Sequence, residues 1–222
     1  MEHFERMLRI LNDAVHSIQA EEFEALLSDC LATVRTGGKL IASGLGKNVP
    51  ICEKFVGTLN SLGIMASFMH TNSAIHGDLG IVREGDLVIV LSKSGETAET
   101  INLAELLSGR GCTTWLLTFS RESTLYQRIP KRLAIELEHE GDAWDILPNN
   151  STVLNLIVLQ ELAMQIAKEE SVSIDTLRMN HPGGAIGAQI GTLEIALDGA
   201  FGGAEVGIRN GTNIDKVAGG GA

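Results

Sequence analysis

The sequence lacks the marks of several protein classes. Aromatic residues make up only 4% of its 222 residues, while 44% are hydrophobic, which favours one α/β domain with a core of Leu, Ile, Val and Ala. Lys and Arg form no run and the net charge is −11, so the basic surface that nucleic-acid-binding proteins need is missing. An anion bound by so acidic a chain must be held by local donors.

Cysteines and long apolar runs are also scarce. The three cysteines, Cys30, Cys52 and Cys112, are widely spaced and odd in number, which is typical of reduced thiols in a cytoplasm and gives neither a disulfide framework nor a zinc spacing. The N-terminus lacks the basic flank and apolar run of a signal peptide. The longest apolar candidate, 153–166, is interrupted by polar residues, so we expect a cytoplasmic protein without a membrane span.

The chain does contain a regular alternation of strands and helices. Apolar residues at helical spacing predict two N-terminal helices, or one helix bent near Ala20. Strand–helix–strand order predicts parallel pairing with right-handed crossovers, and hence a three-layer α-β-α sandwich around a five-stranded parallel sheet. The predicted strands lie at about 39–43, 64–69, 86–91, 113–118 and 133–137, and the predicted helices that follow the N-terminal ones at about 48–62, 97–109 and 151–169.

We expect one domain over residues 1–190. From Gly191 onward glycine is frequent and the apolar residues fall in short alternations, which favours a flexible tail or a loosely docked hairpin over 191–222 rather than a second domain. The helix predicted at 151–169 is apolar nearly all round and must be covered on more than one face. Either a subunit interface or deep burial within one chain would cover it.

Two small polar loops each follow a predicted strand: Ser43-Gly44-Leu45-Gly46-Lys47 and Ser92-Lys93-Ser94-Gly95-Glu96-Thr97. The hydroxyls and N–H groups of the second loop lie beside the positive end of a helix dipole, where an anion is stabilised. A capped turn without a ligand is the alternative, since Ser and Thr are ordinary N-caps. Because ligands of open α/β sheets bind at the carboxyl ends of the strands, the two loops together predict a phosphate site.

Residues able to transfer protons are found near the same predicted edge. Each of these residues also has a purely structural interpretation. Glu96 and Glu99 in a first helical turn would complement the helix dipole. Glu138-His139-Glu140 could be a solvated acidic loop, and Ser151 could be a helix cap only. His76 lies in a glycine-rich loop, and His181 precedes Pro182 and two glycines, which holds it on a shaped backbone. Two histidines, His70 and His76, are too few to indicate zinc.

Four of these motifs together resemble a known family. Residues 92–97, 44–47, 76–80 and 181–187 are similar to the sugar isomerase (SIS) domain, and more narrowly to the arabinose-5-phosphate isomerase family, which interconverts ribulose 5-phosphate and arabinose 5-phosphate in the pathway to Kdo. The resemblance covers about residues 1–190. It implies a flavodoxin-like fold, functional groups at Lys47, Glu99, Glu140 and His181, and a homo-oligomer, a tetramer or dimer, in which His181 reaches a neighbour's site.

The sequence departs from the family pattern in two places. Family members usually continue into a pair of CBS domains, which this sequence does not show, so regulation through them is expected to be absent. The family's Cys-Pro and Thr-Ser-Ser-Thr segment is replaced by Gly141–Thr152. A different sugar phosphate, such as a hexulose, heptulose or aminosugar phosphate, is therefore an alternative substrate, and a non-catalytic sugar-phosphate-binding protein is a further alternative.

Aldose–ketose exchange moves a proton between neighbouring carbons through an enediolate. A carboxylate does this well if burial raises its pKa toward neutrality, and we expect Glu140 to be that base. Lys47 and N–H groups near His76 would stabilise the oxyanion, His181 would move protons between sugar oxygens, and Glu99 would position the substrate. No cofactor or metal is needed. The expected contacts to the phosphate and sugar are Ser43, Gly46, His76, Ser92, Lys93, Ser94, Gly95, Thr97 and Ser151.

Overall fold

The computed structural model describes residues 1–200, of which 193–200 are described by their backbone only. The strands in this range are β1 Leu40–Gly44, β2 Ala66–His70, β3 Leu87–Ser92, β4 Thr113–Thr118 and β5 Lys131–Ala134. The helices are α1 Glu2–His16, α2 Ala20–Arg35, α3 Asn48–Ser61, α4 Ala98–Leu107, α5 Thr124–Arg128, α6 Asn150–Glu169, α7 Ile174–Asn180 and α8 Gly184–Ala200, with two 3₁₀ turns, Ala74–His76 and Asp78–Ile81.

The five strands form one parallel sheet in the order β2-β1-β3-β4-β5. Leu40 of β1 pairs with Ala66 on one side and with Leu87 on the other, so β1 and β3 are neighbours. The strand order therefore reverses between β1 and β3, which is where ligands of such sheets bind. Both predicted polar loops flank this switch point, and the predicted sheet is confirmed.

Alternating residues of the central strand fill two separate layers of core. Leu87, Ile89 and Leu91 of β3 pack with apolar residues of α1, α2, α3 and α6. Val88 and Val90 pack on the other face with residues of β2, the 3₁₀ turns and α4. Both faces of the sheet are thus covered by helices or 3₁₀ turns, as expected of a central parallel strand with no polar side, and the three-layer sandwich is confirmed.

Helix α6 is covered mainly within the chain. It packs against α1, α2 and α3, and Leu154, Val158 and Leu162 are buried. Only Ile157 and Met164 are exposed among its large apolar residues. Of the two explanations offered by its composition, burial in one chain accounts for most of its apolar surface.

Short elements account for most differences from the predicted secondary structure. Helices α5 and α7 were not expected, because segments of five and seven residues are too short to show a helical period. Each has a serine N-cap whose Oγ accepts a backbone N–H: Ser123 from Tyr126 and Ser173 from Thr176. Strand β5 spans 131–134 rather than 133–137, although Ile135 still donates to Thr118 O at 2.9 Å.

The C-terminal segment is helical as far as residue 200. The first compact unit ends at His181, before the predicted boundary at residue 190. Helix α8 then runs through Gly191 to Ala200, where a tail or hairpin was expected. The segment 193–197 is rich in strong helix formers, namely Leu, Glu and Ala, which offset the cost of glycine. The rest of the expected tail, 201–222, lies outside the described residues.

The cysteines are consistent with reduced thiols. Cys30, Cys52 and Cys112 are all free. Burial raises the pKa of the Cys30 and Cys52 thiols, which keeps both protonated at neutral pH.

Within residues 1–200, no helix combines the length and the apolar character needed to cross a membrane.

Candidate active site

The loop that follows β3, Ser92–Thr97, is held by hydrogen bonds within itself and to β4. Ser92 Oγ accepts from Gly95 N at 3.2 Å, and Ser94 Oγ accepts from Glu96 N at 3.2 Å. Lys93 O accepts from Phe119 N and from Thr118 Oγ1, both at 3.2 Å. A hydroxyl that accepts an amide hydrogen still has its own proton to donate. The loop therefore presents hydroxyl donors on a fixed backbone.

The Thr97 hydroxyl has no hydrogen-bond partner among the residues that the structure describes. It is the N-cap residue of α4, but its side chain makes no capping hydrogen bond. A turn built only to cap the helix would use this hydroxyl on the N–H of the second or third helical residue. The geometry therefore favours an anion site over a simple capped turn, beside the N–H groups that the first turn of α4 leaves unpaired.

Gly95 and Glu96 attach the loop to α5. A Cβ at Gly95, where φ is +66°, would lie 2.0 Å from Ser123 Oγ, so only glycine fits. Glu96 accepts from Thr124 N at 2.7 Å and from Thr124 Oγ1 at 2.8 Å, and these bonds lower its pKa. The expectation that Glu96 complements the α4 dipole is wrong: α4 begins at Ala98, and Glu96 instead binds the start of α5.

Glu140 is fully buried and closes the N-terminus of α6. Its Oε2 accepts from Asn149 N and Ser151 N, both at 2.9 Å. Its backbone carbonyl accepts from Asn150 N at 3.2 Å, and its own N–H donates to Asp145 Oδ1 at 2.6 Å. Glu138-His139-Glu140 is therefore not simply a solvated acidic loop, because Glu140 is fixed on both its backbone and its side chain.

Lys93 joins the hydroxyl-rich loop to Glu140. Its Nζ lies 2.7 Å from Glu140 Oε1, with the Lys93 side chain 39% exposed and the Glu140 side chain 0%. The approach is not aligned as a hydrogen bond, and Oε1 accepts none from the residues described. The contact is thus an ion pair between a fixed buried carboxylate and a half-exposed ammonium.

The pKa of Glu140 moves opposite to the expected direction. Burial acts to raise this pKa, but the Lys93 ammonium and the hydrogen bonds from Ser151 and Asn149 outweigh it, so the pKa is lowered. The expectation that burial raises it toward neutrality is wrong because the buried carboxylate is paired and hydrogen-bonded. Glu140 is ionised at neutral pH.

The loop after β1 lies across the switch point from Ser92–Thr97. Lys47 is exposed at the start of α3, after Gly46 with φ +55°. Ser43 is fully buried, and its Oγ shares a 3.1 Å hydrogen bond with Thr71 Oγ1. The structure therefore offers Lys47 to a ligand and uses the Ser43 hydroxyl inside the fold.

A hydrogen bond between two side-chain amides, one of them buried, was not expected from the sequence. Asn155 Nδ2 of α6 donates to Asn48 Oδ1 at 3.0 Å. Asn155 is buried, and its own Oδ1 has no partner among the residues described. An asparagine at an apolar helix position was the available signal, because a buried amide needs a partner.

His76 and Glu99 are exposed near the carboxyl edge. His76 ends a 3₁₀ turn after β2, and Gly77 follows it with φ +119°, which only glycine adopts readily. Glu99 lies in the first turn of α4. The structure thus brings both to the edge that carries Lys47, Lys93 and Glu140.

His181 is not brought to that edge. Helix α6 starts beside Glu140 and has 20 residues, a length of about 30 Å. Its far end lies at the amino edge of the sheet, where Glu170 pairs with Arg35 at 2.8 Å. Asn180 Nδ2 donates to Ser61 O at 3.2 Å, at the end of α3. His181 therefore lies at the opposite edge from Glu140 of the same chain, with its Nδ1 2.8 Å from Leu177 O.

The loop between Glu140 and α6 exposes apolar side chains. Asp142 accepts from Trp144 N at 2.5 Å, Ile146 N at 3.1 Å and Leu147 N at 2.6 Å. Trp144 and Ile146 are each 72% exposed and Leu147 is 55% exposed. The segment that departs from the family pattern is thus a shaped loop beside the candidate base.

Among the residues that the structure describes, no group of three or more His, Cys, Asp or Glu side chains could hold a metal ion.

The fold and the loop identify the class of protein. A model of the SIS domain matches residues 35–163, and the chain belongs to this family. The resemblance drawn from its motifs is thereby confirmed.

Relatives of this chain include sugar-phosphate isomerases. The arabinose 5-phosphate isomerase KdsD of Pseudomonas aeruginosa is 29% identical over 186 residues, 84% of this chain and 57% of that protein. The solved structure of Escherichia coli CFT073 c3406 in complex with arabinose 5-phosphate is 28% identical with a TM-score of 0.76, and the match covers 82% of this chain and 95% of that one. The chain spans about half the length of the curated relatives it matches.

Regulatory proteins share the fold. The sugar isomerase domain of an RpiR transcription factor from Sphaerobacter thermophilus is 23% identical with a TM-score of 0.66, covering 80% of this chain and 95% of that one. At this identity the likeness shows the fold alone.

Proposed function

We propose that this protein interconverts D-ribulose 5-phosphate and D-arabinose 5-phosphate through an enediolate. The observation that carries the proposal is the buried carboxylate of Glu140 joined by Lys93 to a loop of hydroxyl donors, with 2.7 Å between Nζ and Oε1. The loop of hydroxyl donors suits a phosphate, and the buried carboxylate suits a proton transfer. The likeness to the KdsD isomerase and to a protein solved with arabinose 5-phosphate supports the choice of sugar.

The phosphate binds to the loop after β3. The hydroxyls of Ser94 and Thr97 donate to its oxygens, together with the N–H groups at the start of α4. Ser92 is buried with its Oγ on Gly95 N, so it shapes the loop from beneath. This grip on a non-reacting group supplies binding energy that orients the sugar carbons.

Glu140 removes the proton from the carbon next to the carbonyl and returns it to the neighbouring carbon. It is ionised at neutral pH, as a base must be. Lys47 and N–H groups near His76 stabilise the developing oxyanion, and Glu99 positions the sugar. The proton moves between Glu140 and the sugar carbons and no electrons leave the substrate, so the reaction needs no cofactor.

His181 acts in the site of a neighbouring copy. Within one chain it lies at the opposite edge of the sheet from Glu140, so a shared site requires a homo-oligomer, which we propose to be a tetramer. We also propose a cytoplasmic location, which the free thiols support. A role in supplying sugar for Kdo follows from the proposed arabinose-5-phosphate activity.

A mixing experiment tests the shared site. His181→Ala and Glu140→Gln should each be nearly inactive alone, but co-expressed chains should form mixed oligomers in which some sites contain both wild-type residues. Partial recovery of turnover supports the shared site. Mixed oligomers, verified by two affinity tags, that stay as inactive as their parents would contradict it.

The reaction itself is tested by NMR in heavy water with ribulose 5-phosphate. We expect deuterium at the carbon next to the carbonyl and the appearance of an aldose product. Binding without exchange would instead indicate a non-catalytic sugar-phosphate-binding protein.

A second substrate is favoured by one observation. The exposed loop that carries Trp144, Ile146 and Leu147 lies beside Glu140 and differs from the family pattern. A panel of hexulose, heptulose and aminosugar phosphates should therefore be assayed alongside the pentose. A kcat/KM higher for one of these would reassign the sugar and keep the reaction class.

A further inference from the structure

We propose that Lys93 is a positioning residue that moves from Glu140 to the phosphoryl group when a ligand binds, and so makes Glu140 a stronger base only in the filled site. The inference rests on the proposed function, because it needs a phosphoryl group on the loop 92–97. It adds a coupling between the binding half and the reacting half of the site.

Only one oxygen of Glu140 can take a proton. Oε2 already accepts two amide hydrogens, from Asn149 and Ser151 at 2.9 Å each. Oε1 lies 2.7 Å from the Lys93 ammonium and accepts no aligned hydrogen bond from the residues described. While the ammonium stays there, the lone pairs of Oε1 face a cation and are poor proton acceptors. The ammonium must leave before Oε1 can act.

The side chain of Lys93 is able to leave while its backbone stays. Its carbonyl is fixed by Thr118 and Phe119, whereas its side chain is 39% exposed and ends in a flexible four-carbon stem. The hydroxyl of Ser94 belongs to the next residue of the same loop. A phosphoryl group carries a charge of about −1.5 to −2 at neutral pH, so it attracts the ammonium more strongly than a single carboxylate does.

Departure of the ammonium changes the proton affinity of Glu140. A fully buried carboxylate without a cation has a raised pKa. The other titratable groups placed around it are Asp145, whose Oδ1 accepts the Glu140 N–H at 2.6 Å, and His139, whose Nδ1 lies 3.9 Å from the same Oδ1. Asp142 lies in the same loop and binds three of its amides. The start of α6 contributes the amides of Asn149 and Ser151 and the hydroxyl of Ser151. Lys93 is the cation that pairs with Glu140 among the described residues.

During turnover the step is balanced within the site. The carbon–hydrogen bond next to the carbonyl breaks, its electron pair enters the enediolate, and the proton forms a bond to Oε1. A proton, the original one or one exchanged with water, then moves from Oε1 to the neighbouring carbon. The hydroxyl on the first carbon passes its proton to the former carbonyl oxygen, and Glu140 is again a carboxylate. On release of the phosphorylated product the ammonium returns to Oε1.

Proton uptake on binding an anion measures this coupling without turnover. Sulfate is a suitable probe because it stays a dianion in mildly acidic solution. Calorimetric titrations at about pH 5, just above the ordinary pKa of a glutamate, in buffers of different ionisation enthalpy give the protons taken up. Wild-type protein should take up as much as about one proton per sulfate.

Variants show which group takes up that proton. Lys93→Met should bind sulfate about ten- to a hundredfold more weakly, the loss of one charged hydrogen bond, with little uptake because Glu140 is already protonated. Lys93→Arg should keep the uptake, and Glu140→Gln should bind sulfate without it. Lys131→Met is the matched control, since Lys131 pairs with Asp29 at 2.6 Å at the start of β5; it should behave as wild type.

The outcomes separate this inference from the isomerase proposal. Sulfate binding by wild type without proton uptake, or equal uptake by wild type and either Lys93→Met or Glu140→Gln, overturns the coupling and leaves the isomerase proposal intact. Failure of wild type to bind sulfate at all removes the phosphoryl site and overturns both.

Discussion

Two lysine–carboxylate pairs lie at opposite edges of the same sheet, and their surroundings differ. At the amino edge, Lys39 Nζ lies 2.6 Å from Asp86 Oδ2, with side chains 20% and 5% exposed. At the carboxyl edge, Lys93 Nζ lies 2.7 Å from Glu140 Oε1, with side chains 39% and 0% exposed. The residue types and distances are alike, so only the other partners of each carboxylate can separate their roles.

Those partners show which pair is fixed. Asp86 Oδ1 accepts from Lys39 N at 3.0 Å, and Oδ2 accepts from Arg83 N at 2.9 Å in addition to the ammonium. Both oxygens are used, and the pair joins the starts of β1 and β3. Glu140 has one oxygen that accepts two amide hydrogens and one that lies against the Lys93 ammonium without an aligned hydrogen bond. A carboxylate that stabilises the fold is fully bound, whereas one suited to chemistry keeps an oxygen that a single movement can free.

Among the substitutions that test this comparison, Glu140→Gln should have the largest effect, a loss of turnover. We expect turnover to fall by about 10³-fold or more, since a general base contributes about 10²- to 10⁴-fold, while the glutamine oxygen still accepts the α6 amides. Steady-state kinetics and thermal protection by ribulose 5-phosphate measure the two effects. Retained turnover would exclude Glu140 as the base.

Asp86→Asn is the matched change at the other edge. It should lower the free energy of unfolding by about 3 kcal/mol, because removing one partner leaves a partly buried ammonium unpaired. The kcat per folded molecule should stay within about twofold of wild type, since Asp86 touches no proposed site residue. Urea unfolding and kinetics below the transition check both. A large loss of kcat with unchanged stability would reverse the assignment of the two pairs.

The double variant Ser94→Ala, Thr97→Ala tests the donors next to the carboxyl-edge pair. Each lost hydroxyl should cost about 1 kcal/mol of binding, so affinity for phosphorylated sugars should fall about thirtyfold in total. Neither hydroxyl is used as a helix cap, so stability should change little. Ser123→Ala is the control: it removes the cap of α5 and should lower stability with less effect on binding. Equal affinities in wild type and double variant would mean that the phosphate binds elsewhere.

The sequence was sufficient for the parts of this site that depend on local pattern. Apolar runs and their spacing predicted the parallel sheet, and the position of Ser92–Thr97 directly after a buried run placed that loop at the carboxyl edge. The ion pair between Lys93 and Glu140 could not be predicted in this way, because it crosses β4 and depends on where two side chains meet. The predicted direction of the shift in the Glu140 pKa was wrong for the same reason.

The position of His181 shows a second limit. The motif predicted a functional histidine but not its location, because location depends on the length of α6, which carries the chain from one edge of the sheet to the other. Helices α5 and α7 were missed because each is too short for a periodic pattern. Contacts set by distant segments, rather than local propensity, account for these differences.

The change of stability with pH is the smallest expected effect, and it tests the Lys39–Asp86 pair directly. The pKa of Asp86 is lowered: burial acts to raise it, but Lys39 and the amides of Lys39 and Arg83 outweigh that. A depressed pKa in the folded state contributes stability above the unfolded value, about 3.9 for Asp, and the contribution is lost as pH falls through the folded pKa. The gap in urea midpoint between wild type and Asp86→Asn should therefore be full at neutral pH and close on acidification.

Glu105→Gln, which breaks the exposed pair with Arg128, is the control for this pH series. A surface pair contributes about 0–1 kcal/mol, so its gap should be small at every pH. A gap for Asp86→Asn that stayed constant into acid would mean that the variant loses packing rather than charge pairing. The amino-edge pair would then no longer serve as the electrostatic reference for Lys93 and Glu140, and the comparison would have to rest on kinetics alone.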